Sequence, residues 1–369
     1  MSRTDEESIA RIEDELSPDG AARRKLVAGA AAMAAAGALL PARDAHAIQD
    51  KDMSAAPPAG FTPFSAPGRI VKVSKADCMA ENQLYPKPDA AKAMLEKAMT
   101  ELTGKADLTQ AVMQFVHKDD VVCVKVNGIA RENMGTNKEL VLPFIEAMIA
   151  GGVKPENITV LEQYIGFLHG TRINAQNVPK GVKTVVHQNA KDNNAMAPMQ
   201  ERMIPGTGVR TRFVKPLVDA TACINFGLIK DHSICGYTGV LKNMTHGCTV
   251  NPHDFHTHNA SPQIALLYAQ DVVKSRVRLN IADGFKVMAQ GGPLWKSPQH
   301  VKVHGAIYVS TDPVALDAIG WDIVEKYRKD LGLRSLAEDK REPKYIKAAA
   351  DLGLGIFDRA QIKMKEVTI

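Results

Sequence analysis

Aromatic residues and clustered positive charge are both scarce in this sequence. Only 5% of the 369 residues are Phe, Trp or Tyr, and the 46 Lys and Arg residues are spread along the chain rather than gathered in a stripe. A nucleic-acid-binding surface is built from clustered basic residues, often with aromatic side chains among them. The sequence therefore predicts no nucleic-acid partner, and its net charge of +5 instead favours small anionic ligands.

Cysteine pairs with the spacing of a metal site are also absent. The chain has five cysteines, and no C-x-x-C pair occurs among them. Zinc ribbons and ferredoxin-type clusters draw their ligands from such tight runs, so we expect no iron–sulfur cluster. Cys123 and Cys223 lie within apolar strand patterns and are predicted to be core residues. The other three are Cys78, Cys235 and Cys248. One disulfide between two of them is an alternative to three free thiols if the protein lies in an oxidising compartment.

The sequence has no strongly hydrophobic run that is long enough for a membrane anchor. Its apolar stretch from Leu26 to Leu40 consists largely of Ala and Gly, with Arg23 and Arg24 just before it and Ala45-His46-Ala47 after it. Paired arginines, a weakly apolar core and a small-residue cleavage site are typical of twin-arginine signals. We therefore predict a signal peptide at 1–47, recognition by the twin-arginine translocase, and a periplasmic protein without a stable membrane anchor. An ordinary secretory signal and an uncleaved anchor are the alternatives.

The remainder of the chain is predicted to be a short arm followed by one domain. Residues 48–68 are rich in Pro, Ala and Gly and lack periodicity, which indicates an extended arm or linker. Within 69–369, a β-branched run at 120–126, a helical pattern at 137–150 and an apolar run at 157–161 predict a parallel βαβ unit. Further strands are predicted at 69–74, 184–187, 222–226, 278–282 and 306–310, and further helices at 88–102, 107–116, 262–273, 313–327 and 345–352.

This alternation predicts an α/β fold, a doubly wound and mostly parallel sheet with helices on both faces (Rossmann-like), in one lobe or two. Ligands of such sheets bind at the carboxyl ends of the strands. Asp312 precedes Pro313 at the start of a predicted helix and is interpreted as its N-cap rather than as a catalyst.

The segment 231–258 carries most of the chemistry in the sequence. Five of the eleven histidines fall within it, and imidazole is a common transition-metal ligand and proton carrier. We predict His258, with His256 and His253, as metal ligands and His232 as an acid/base. A solvated polar loop with a chance run of histidines is the alternative. The five are His232, His246, His253, His256 and His258.

Other polar residues are predicted to line the same cleft. Gly236 and Gly239 would let the backbone approach a cofactor closely, and Lys242 would bind an anionic or carbonyl group. Lys125 and Asn127, at the end of a predicted buried strand, are further cofactor-binding candidates, although a lysine there can also extend its ammonium to the surface. Glu162 and His169 flank the loop after the next strand, and either one can equally be an ordinary loop residue.

Several motifs resemble the domain of unknown function 362 family, and they occur in the family's order. They are KVN at 125–127, IKDHSICGYTGVLKNMTHG at 229–247, LNIADG at 279–284, GGP at 291–293 and STDPVALDAIG at 310–320. Many members of that family also carry a ferredoxin-like segment with clustered cysteines, which this sequence lacks. The resemblance covers about the whole predicted mature chain and implies no settled activity.

A more distant resemblance is to the catalytic domain of the nickel-dependent lactate racemase family. His232, Lys242 and His258 are spaced as that family's acid/base histidine, its lysine that holds a nickel-pincer nucleotide covalently, and its nickel-binding histidine. His169 would correspond to a second acid/base histidine. The family's Gly-Gly-Arg-Lys is Gly239-Val240-Leu241-Lys242 here, without the arginine, and no counterpart of its phosphate-gripping loop is found.

The leading hypothesis is an exported enzyme, dependent on a metal or cofactor, that acts on a small hydroxy or carboxylic acid by histidine acid/base chemistry. It would be an isomerase or resemble an oxidoreductase, and the sequence does not distinguish Ni, Zn and Fe. The second hypothesis is a non-catalytic periplasmic protein that binds a metal or a small anion. A third is a structural protein whose histidines are surface residues.

Overall fold

A computed structural model describes residues 51–188 and 201–369. The predicted signal peptide lies outside the described residues, so export and periplasmic location stay predictions. Met53–Ile369 form one compact unit, and the predicted boundaries at 47 and 68 also stay predictions. Among the described helices, none combines the length and apolarity needed to span a bilayer.

The strands and helices alternate along most of the chain. The strands are β1 (Arg69–Ser74), β2 (Val122–Lys125), β3 (Ile158–Glu162), β4 (Lys183–Val186), β5 (Arg202–Ile204), β6 (Val209–Thr211), β7 (Ala222–His232), β8 (Gly236–Thr238), β9 (Val277–Met288), β10 (Val301–Ser310) and β11 (Lys363–Thr368). The α-helices are α1 (Pro88–Thr103), α2 (Leu108–Val112), α3 (Lys138–Ala150), α4 (Ile165–Gly170), α5 (Lys215–Val218), α6 (Val240–Thr245), α7 (Thr257–Ala260), α8 (Gln263–Tyr268), α9 (Asp271–Lys274), α10 (Pro313–Asp330) and α11 (Tyr345–Asp351). Short 3₁₀ helices span Arg131–Asn133, Pro155–Asn157, His246–Cys248, Pro252–Phe255 and Pro298–His300.

One nine-stranded sheet organises the fold. Its strand order is β11-β1-β10-β9-β7-β2-β3-β4, with β8 paired to β7, and β5 and β6 form a separate hairpin. The strands from β9 to β4 in this order run parallel, whereas β10 is antiparallel to both β9 and β1. The fold is thus the predicted α/β fold with a mixed, mostly parallel, Rossmann-like sheet.

Helices cover both faces of the sheet, and each face has its own apolar core. Side chains of a strand point alternately to the two faces. Val122 and Val124 of β2 therefore pack with α1, α2 and α3 on one face, while Cys123 packs with α6, α8, α10 and α11 on the other. Cys123 and Cys223 are fully buried, as predicted, and all five cysteines carry free thiols.

The order in which strands are added to the sheet reverses direction at β2. The chain passes from β2 to β3 and β4 on one side and later adds β7 and β9 on the other side. Helices and loops diverge at such a reversal, which leaves a crevice outside the carboxyl ends of the strands. The ends of β2, β3 and β7 are therefore where a ligand site is expected.

The predicted elements are mostly confirmed, with three strands longer than predicted. β7 continues to His232 and β9 to Met288, and β10 begins already at Val301. The polar residues Lys230, Asp231 and Asp283 resemble the start of a loop, but β8 and β10 pair with these extensions in antiparallel register. The predicted helix at 262–273 is divided into α8 and α9.

Candidate functional site

A buried lysine–glutamate pair lies at the carboxyl ends of β2 and β3. The Lys125 ammonium is 2.5 Å from Glu162 Oε2 and 3.3 Å from Asn243 Oδ1. Glu162 also accepts hydrogen bonds from the backbone N–H groups of Gly128 and Gln163, at 3.0 and 2.9 Å. Both charged side chains are almost fully buried. Each one supplies the opposite charge that the other needs in the absence of water.

The Lys125 side chain leaves no room for a side chain at position 247. A Cβ atom added to Gly247 would lie 2.7 Å from Lys125 Cε, closer than carbon atoms approach in folded proteins. Gly247 thus brings the 3₁₀ helix His246–Cys248 directly against the lysine. This contact places the histidine-rich segment over the end of β2.

A chain of amide side chains connects this ion pair to a second buried lysine. Lys230 Nζ donates to Asn127 Oδ1 at 2.9 Å, and Asn127 Nδ2 donates to Asn243 Oδ1 at 3.3 Å. Asn243 Nδ2 in turn donates to Asn225 Oδ1 at 2.8 Å. Because Asn243 belongs to α6, this network fixes α6 to the ends of β2 and β7.

Three histidine rings and one lysine form a buried cluster next to this network, which we call the His–Lys cluster (Lys242, His232, His246 and His256). Lys242 Nζ lies 3.3 Å from His256 Nε2. The centroid of the His256 ring is 4.6 Å from that of His246 and 5.6 Å from that of His232. Lys242, His232 and His246 are each less than a tenth exposed.

Hydrogen-bond partners locate a proton on two of the three rings. His256 Nδ1 lies 3.0 Å from the Pro252 carbonyl, which can only accept, so Nδ1 carries the proton and Nε2 accepts from Lys242. His232 Nδ1 accepts from the Ile234 N–H at 3.1 Å, so its proton lies on Nε2. The cluster therefore holds both an imidazole donor and an imidazole acceptor.

Burial lowers the pKa values of the basic groups at this site and so favours their neutral forms. Desolvation lowers the pKa of Lys242 to about 8 and that of Lys230 to about 7. It also lowers the pKa values of His232 and His246 well below the usual value, and the charge of Lys242 lowers them further. Both rings are therefore neutral at pH 7, and each has one N–H donor and one nitrogen lone pair.

Asp317 of α10 anchors the helix that carries Lys242. Its two carboxylate oxygens accept hydrogen bonds from the N–H groups of Val240 and Leu241, at 2.7 and 2.9 Å. A Cβ atom on Gly239 would lie 2.0 Å from Asp317 Oδ1, so a larger residue there would push the carboxylate away. Gly236 has a φ of +75° and packs against the Arg341 carbonyl. At both glycines, the predicted close approach is made by protein groups.

Comparison with known proteins identifies the family to which the chain belongs. The sequence model of a protein family described as "Domain of unknown function (DUF362)" matches residues 122–322. The chain belongs to this family. The matched segment includes the Lys125–Glu162 pair, the amide network, the His–Lys cluster and Asp317. The family's shared sequence thus spans the whole candidate site.

The other comparisons are distant. No curated protein matches the chain. Among solved structures, the chain is similar to the lactate racemase apoprotein from Thermoanaerobacterium thermosaccharolyticum, at 12% identity and a TM-score of 0.37. That similarity covers 72% of this chain and 60% of the racemase chain.

The fold does not bring the three predicted metal ligands together. His256 lies in the His–Lys cluster, whereas His258 is exposed and lines a surface cavity of about 490 Å³ with Lys340 and Glu342. His253 is half-buried in the 3₁₀ helix Pro252–Phe255. Within residues 51–188 and 201–369, no three His, Cys, Asp or Glu side chains are arranged to hold a metal ion. These three histidines do not fit a shared metal as a set, and the transition metal stays a prediction.

His169 also lies apart from the cluster. It is exposed in the last turn of α4, and no contact joins it to His232 or Lys242 in the described part of the chain. Of the predicted catalytic residues, the structure therefore brings together His232 and Lys242.

Sequence reasoning missed Lys230, Asn243 and Asp317 as parts of the site. Lys230 interrupts an otherwise apolar strand pattern, which was a usable signal because a lysine is rarely buried without a role. Asn243 follows Lys242 directly and could have been included with it. Asp317 gave no signal, since its partners lie 76 and 77 residues away. Asp312 is confirmed as a cap, because it accepts from the Ala315 N–H at 2.8 Å.

Proposed function

We propose that this protein is an exported enzyme that transfers protons on a small carboxylic or hydroxy acid bound beside Lys242. The observation that carries the proposal is the His–Lys cluster itself. An ammonium group and three imidazoles are held together in a largely buried part of the fold, where charge interactions are stronger than in water. Few structural roles need such a combination.

The donor and acceptor pattern suggests a division of roles. Lys242 would bind the substrate carboxylate, since an ammonium is suited to a compact negative charge. His232 carries a proton on Nε2 and would donate a hydrogen bond from it to a substrate oxygen. His256 has a lone pair on Nε2 and would accept a proton, while the Pro252 carbonyl supports its Nδ1–H.

Isotope exchange tests this function directly. Protein purified from its own host is incubated with small hydroxy and carboxylic acids in deuterated water, and exchange at the carbon beside the carboxylate is followed by NMR. We expect exchange with at least one acid, and a rate on the order of a hundredfold lower in His232→Gln. His117→Gln is the control, because His117 precedes the family segment and is partly exposed. Exchange that is unaffected by His232→Gln would refute the assigned role.

Elemental analysis of the same preparations tests the metal. One equivalent of a transition metal in the unaltered protein, and its loss in His256→Gln, would indicate that this site binds a metal. Catalytically active protein without metal would remove the metal from the proposal.

A non-catalytic binding protein is the second candidate. The buried ammonium of Lys242, whose hydrogen-bond partner is the His256 ring, favours capture of an anion with or without chemistry. Calorimetry separates the two functions, since stoichiometric binding without any exchange would support the binding protein.

The export part of the proposal rests on the sequence of residues 1–47. Replacing Arg23 and Arg24 together with lysine is expected to leave the uncleaved precursor in the cytoplasm, because the translocase reads the arginine pair. Cell fractionation measures this. Periplasmic protein at the normal level in the double variant would indicate another export route.

A further inference from the structure

The positive charges at the carboxyl ends of β2, β3 and β7 exceed the negative ones. Three buried lysines converge there, namely Lys125, Lys230 and Lys242, and each is less than a tenth exposed. In the described part of the chain, Glu162 is the carboxylate hydrogen-bonded to any of them, and its partner is Lys125. With all three lysines protonated, two positive charges are left without a carboxylate.

The two remaining lysines are hydrogen-bonded to an amide and to an imidazole rather than to a carboxylate. In the described residues, Lys230 makes one hydrogen bond, to the amide oxygen of Asn127, and Lys242 makes one, to a ring nitrogen of His256. An ammonium has three N–H donors, so each lysine retains donors for a ligand. The neighbouring carboxylate of Asp231 is already engaged by Arg341 at 2.7 Å and by the N–H groups of Gly291 and Gly292.

Both lysines lie beside His232. Lys230 is two residues before His232 on β7, and the amide network from Asn127 to Asn243 connects Lys230 to α6, the helix that bears Lys242. The charges of Lys242 and Lys230 each contribute to lowering the pKa of His232. Buried charges are normally paired, because an uncompensated ion loses its hydration on folding. Two such cations beside one ring point to a partner with two negative charges.

We propose that the natural ligand of the His–Lys cluster is a dianion, with one negative group bound by Lys242 and the other by Lys230. This inference rests on the proposed function, in which Lys242 binds a carboxylate, and adds a second anionic group to the ligand. The ligand would be a small molecule with two negative charges. Either a dicarboxylate or a phosphate group can supply these charges.

Calorimetry with matched anions tests the inference. The probes are acetate and lactate as monoanions, malonate and succinate as dicarboxylates, and inorganic phosphate, all at one pH and ionic strength. We expect at least one dianion to bind about tenfold or more tightly than either monoanion, since a second charge-assisted hydrogen bond is gained. Preference for malonate or succinate would identify a dicarboxylate, and preference for phosphate would identify a phosphate group.

Lys230→Met is the decisive variant, because methionine keeps most of the length of the side chain and removes its charge. It should reduce dianion affinity about tenfold while monoanion affinity stays within about threefold. Lys72→Met is the control, since Lys72 lies on β1 and pairs with Glu366. If Lys230→Met does not fold, as judged by circular dichroism, the comparison of anions on the unaltered protein decides alone.

The failures of the two proposals are distinguishable. Monoanions and dianions that bind with equal affinity would overturn the dianion inference and leave carboxylate binding at Lys242 intact. An equal loss of both affinities in Lys230→Met would also overturn it. Absence of binding by every probe would refute both proposals.

Discussion

Lys242 is a buried cation whose charge depends on pH within an experimentally accessible range. Its ammonium faces the Nε2 lone pair of His256, and desolvation lowers its pKa to about 8. An anion beside it would stabilise the protonated form and raise that pKa again. Ligand affinity and protonation of Lys242 are therefore linked.

We predict that the affinity for a monocarboxylate such as lactate falls as the pH rises above about 8. Above that pH the free protein loses the Lys242 proton, so binding has to restore it, and the dissociation constant should increase about tenfold per pH unit. Lys242→Met should bind weakly at every pH and retain or gain thermal stability, because it no longer buries a charge. Calorimetry between pH 6.5 and 9.5 measures the first effect. A flat profile in the unaltered protein would contradict the role of Lys242.

Backbone geometry decided which histidines form the cluster, and that could not be predicted from the sequence. The segment 231–258 was predicted to carry the site residues, and all four residues of the His–Lys cluster lie within it. However, His258 and Asn259 adopt left-handed φ values of +52° and +59°, and His258 is exposed. The His256 ring instead stacks on His232 and meets the His246 ring edge-to-face. Spacing along the chain does not reveal such a turn, because left-handed backbone is uncommon for residues other than glycine.

At the scale of elements, α6 is a six-residue helix held in place from outside itself. A helix of this length gains little stability from its own hydrogen bonds. Asp317 accepts from two of its first N–H groups, and Asn243 is bonded to β7 through Asn225. The helix boundaries follow local sequence patterns, whereas these anchors depend on the tertiary fold.

We predict that Asp317→Asn lowers the free energy of unfolding by about 2 kcal/mol. An asparagine can accept from one backbone N–H, but its own amide N–H₂ would then face the second donor and leave it unsatisfied. Asp322→Asn on the same helix is the matched control, because Asp322 is half exposed and pairs with Arg359 at the surface. That control should change stability by less than about 1 kcal/mol. Equal losses in the two variants, measured by urea unfolding, would show that Asp317 has no special role in holding α6.

At the scale of the whole molecule, buried neutral histidines connect separate parts of the fold. His304 of β10 contacts Tyr308 and Tyr327 through its two ring nitrogens, at 2.7 and 3.1 Å, and so joins the sheet to α10. Burial lowers the pKa of His304 to about 4 and that of His187 to about 3. Each ring binds a proton near pH 6.5 when the chain is unfolded but stays neutral in the folded state.

The sign of the resulting pH dependence follows from proton counting. Between about pH 4 and 6.5 the unfolded chain binds more protons at these histidines than the folded one, so their contribution to stability is present above pH 6.5 and is lost as the pH falls toward 4. Burial raises the pKa of Asp317 to about 7, which acts in the opposite direction between the usual aspartate value and pH 7. The histidine contribution is therefore best isolated by comparing a variant with the unaltered protein.

We predict that His304→Gln reduces the slope of the unfolding free energy against pH, between pH 5 and 6.5, by about 1 kcal/mol per pH unit. Glutamine retains a polar side chain for one of the two tyrosine hydroxyls but does not titrate. Above pH 7.5 neither the histidine nor the glutamine changes charge on unfolding, so the two stability curves should run parallel there, offset by the hydrogen bond that is lost. Urea unfolding at half-unit pH intervals measures both regions. Parallel curves across the entire range would show that His304 is protonated equally in the folded and unfolded states, and that its position between β10 and α10 does not hold it neutral.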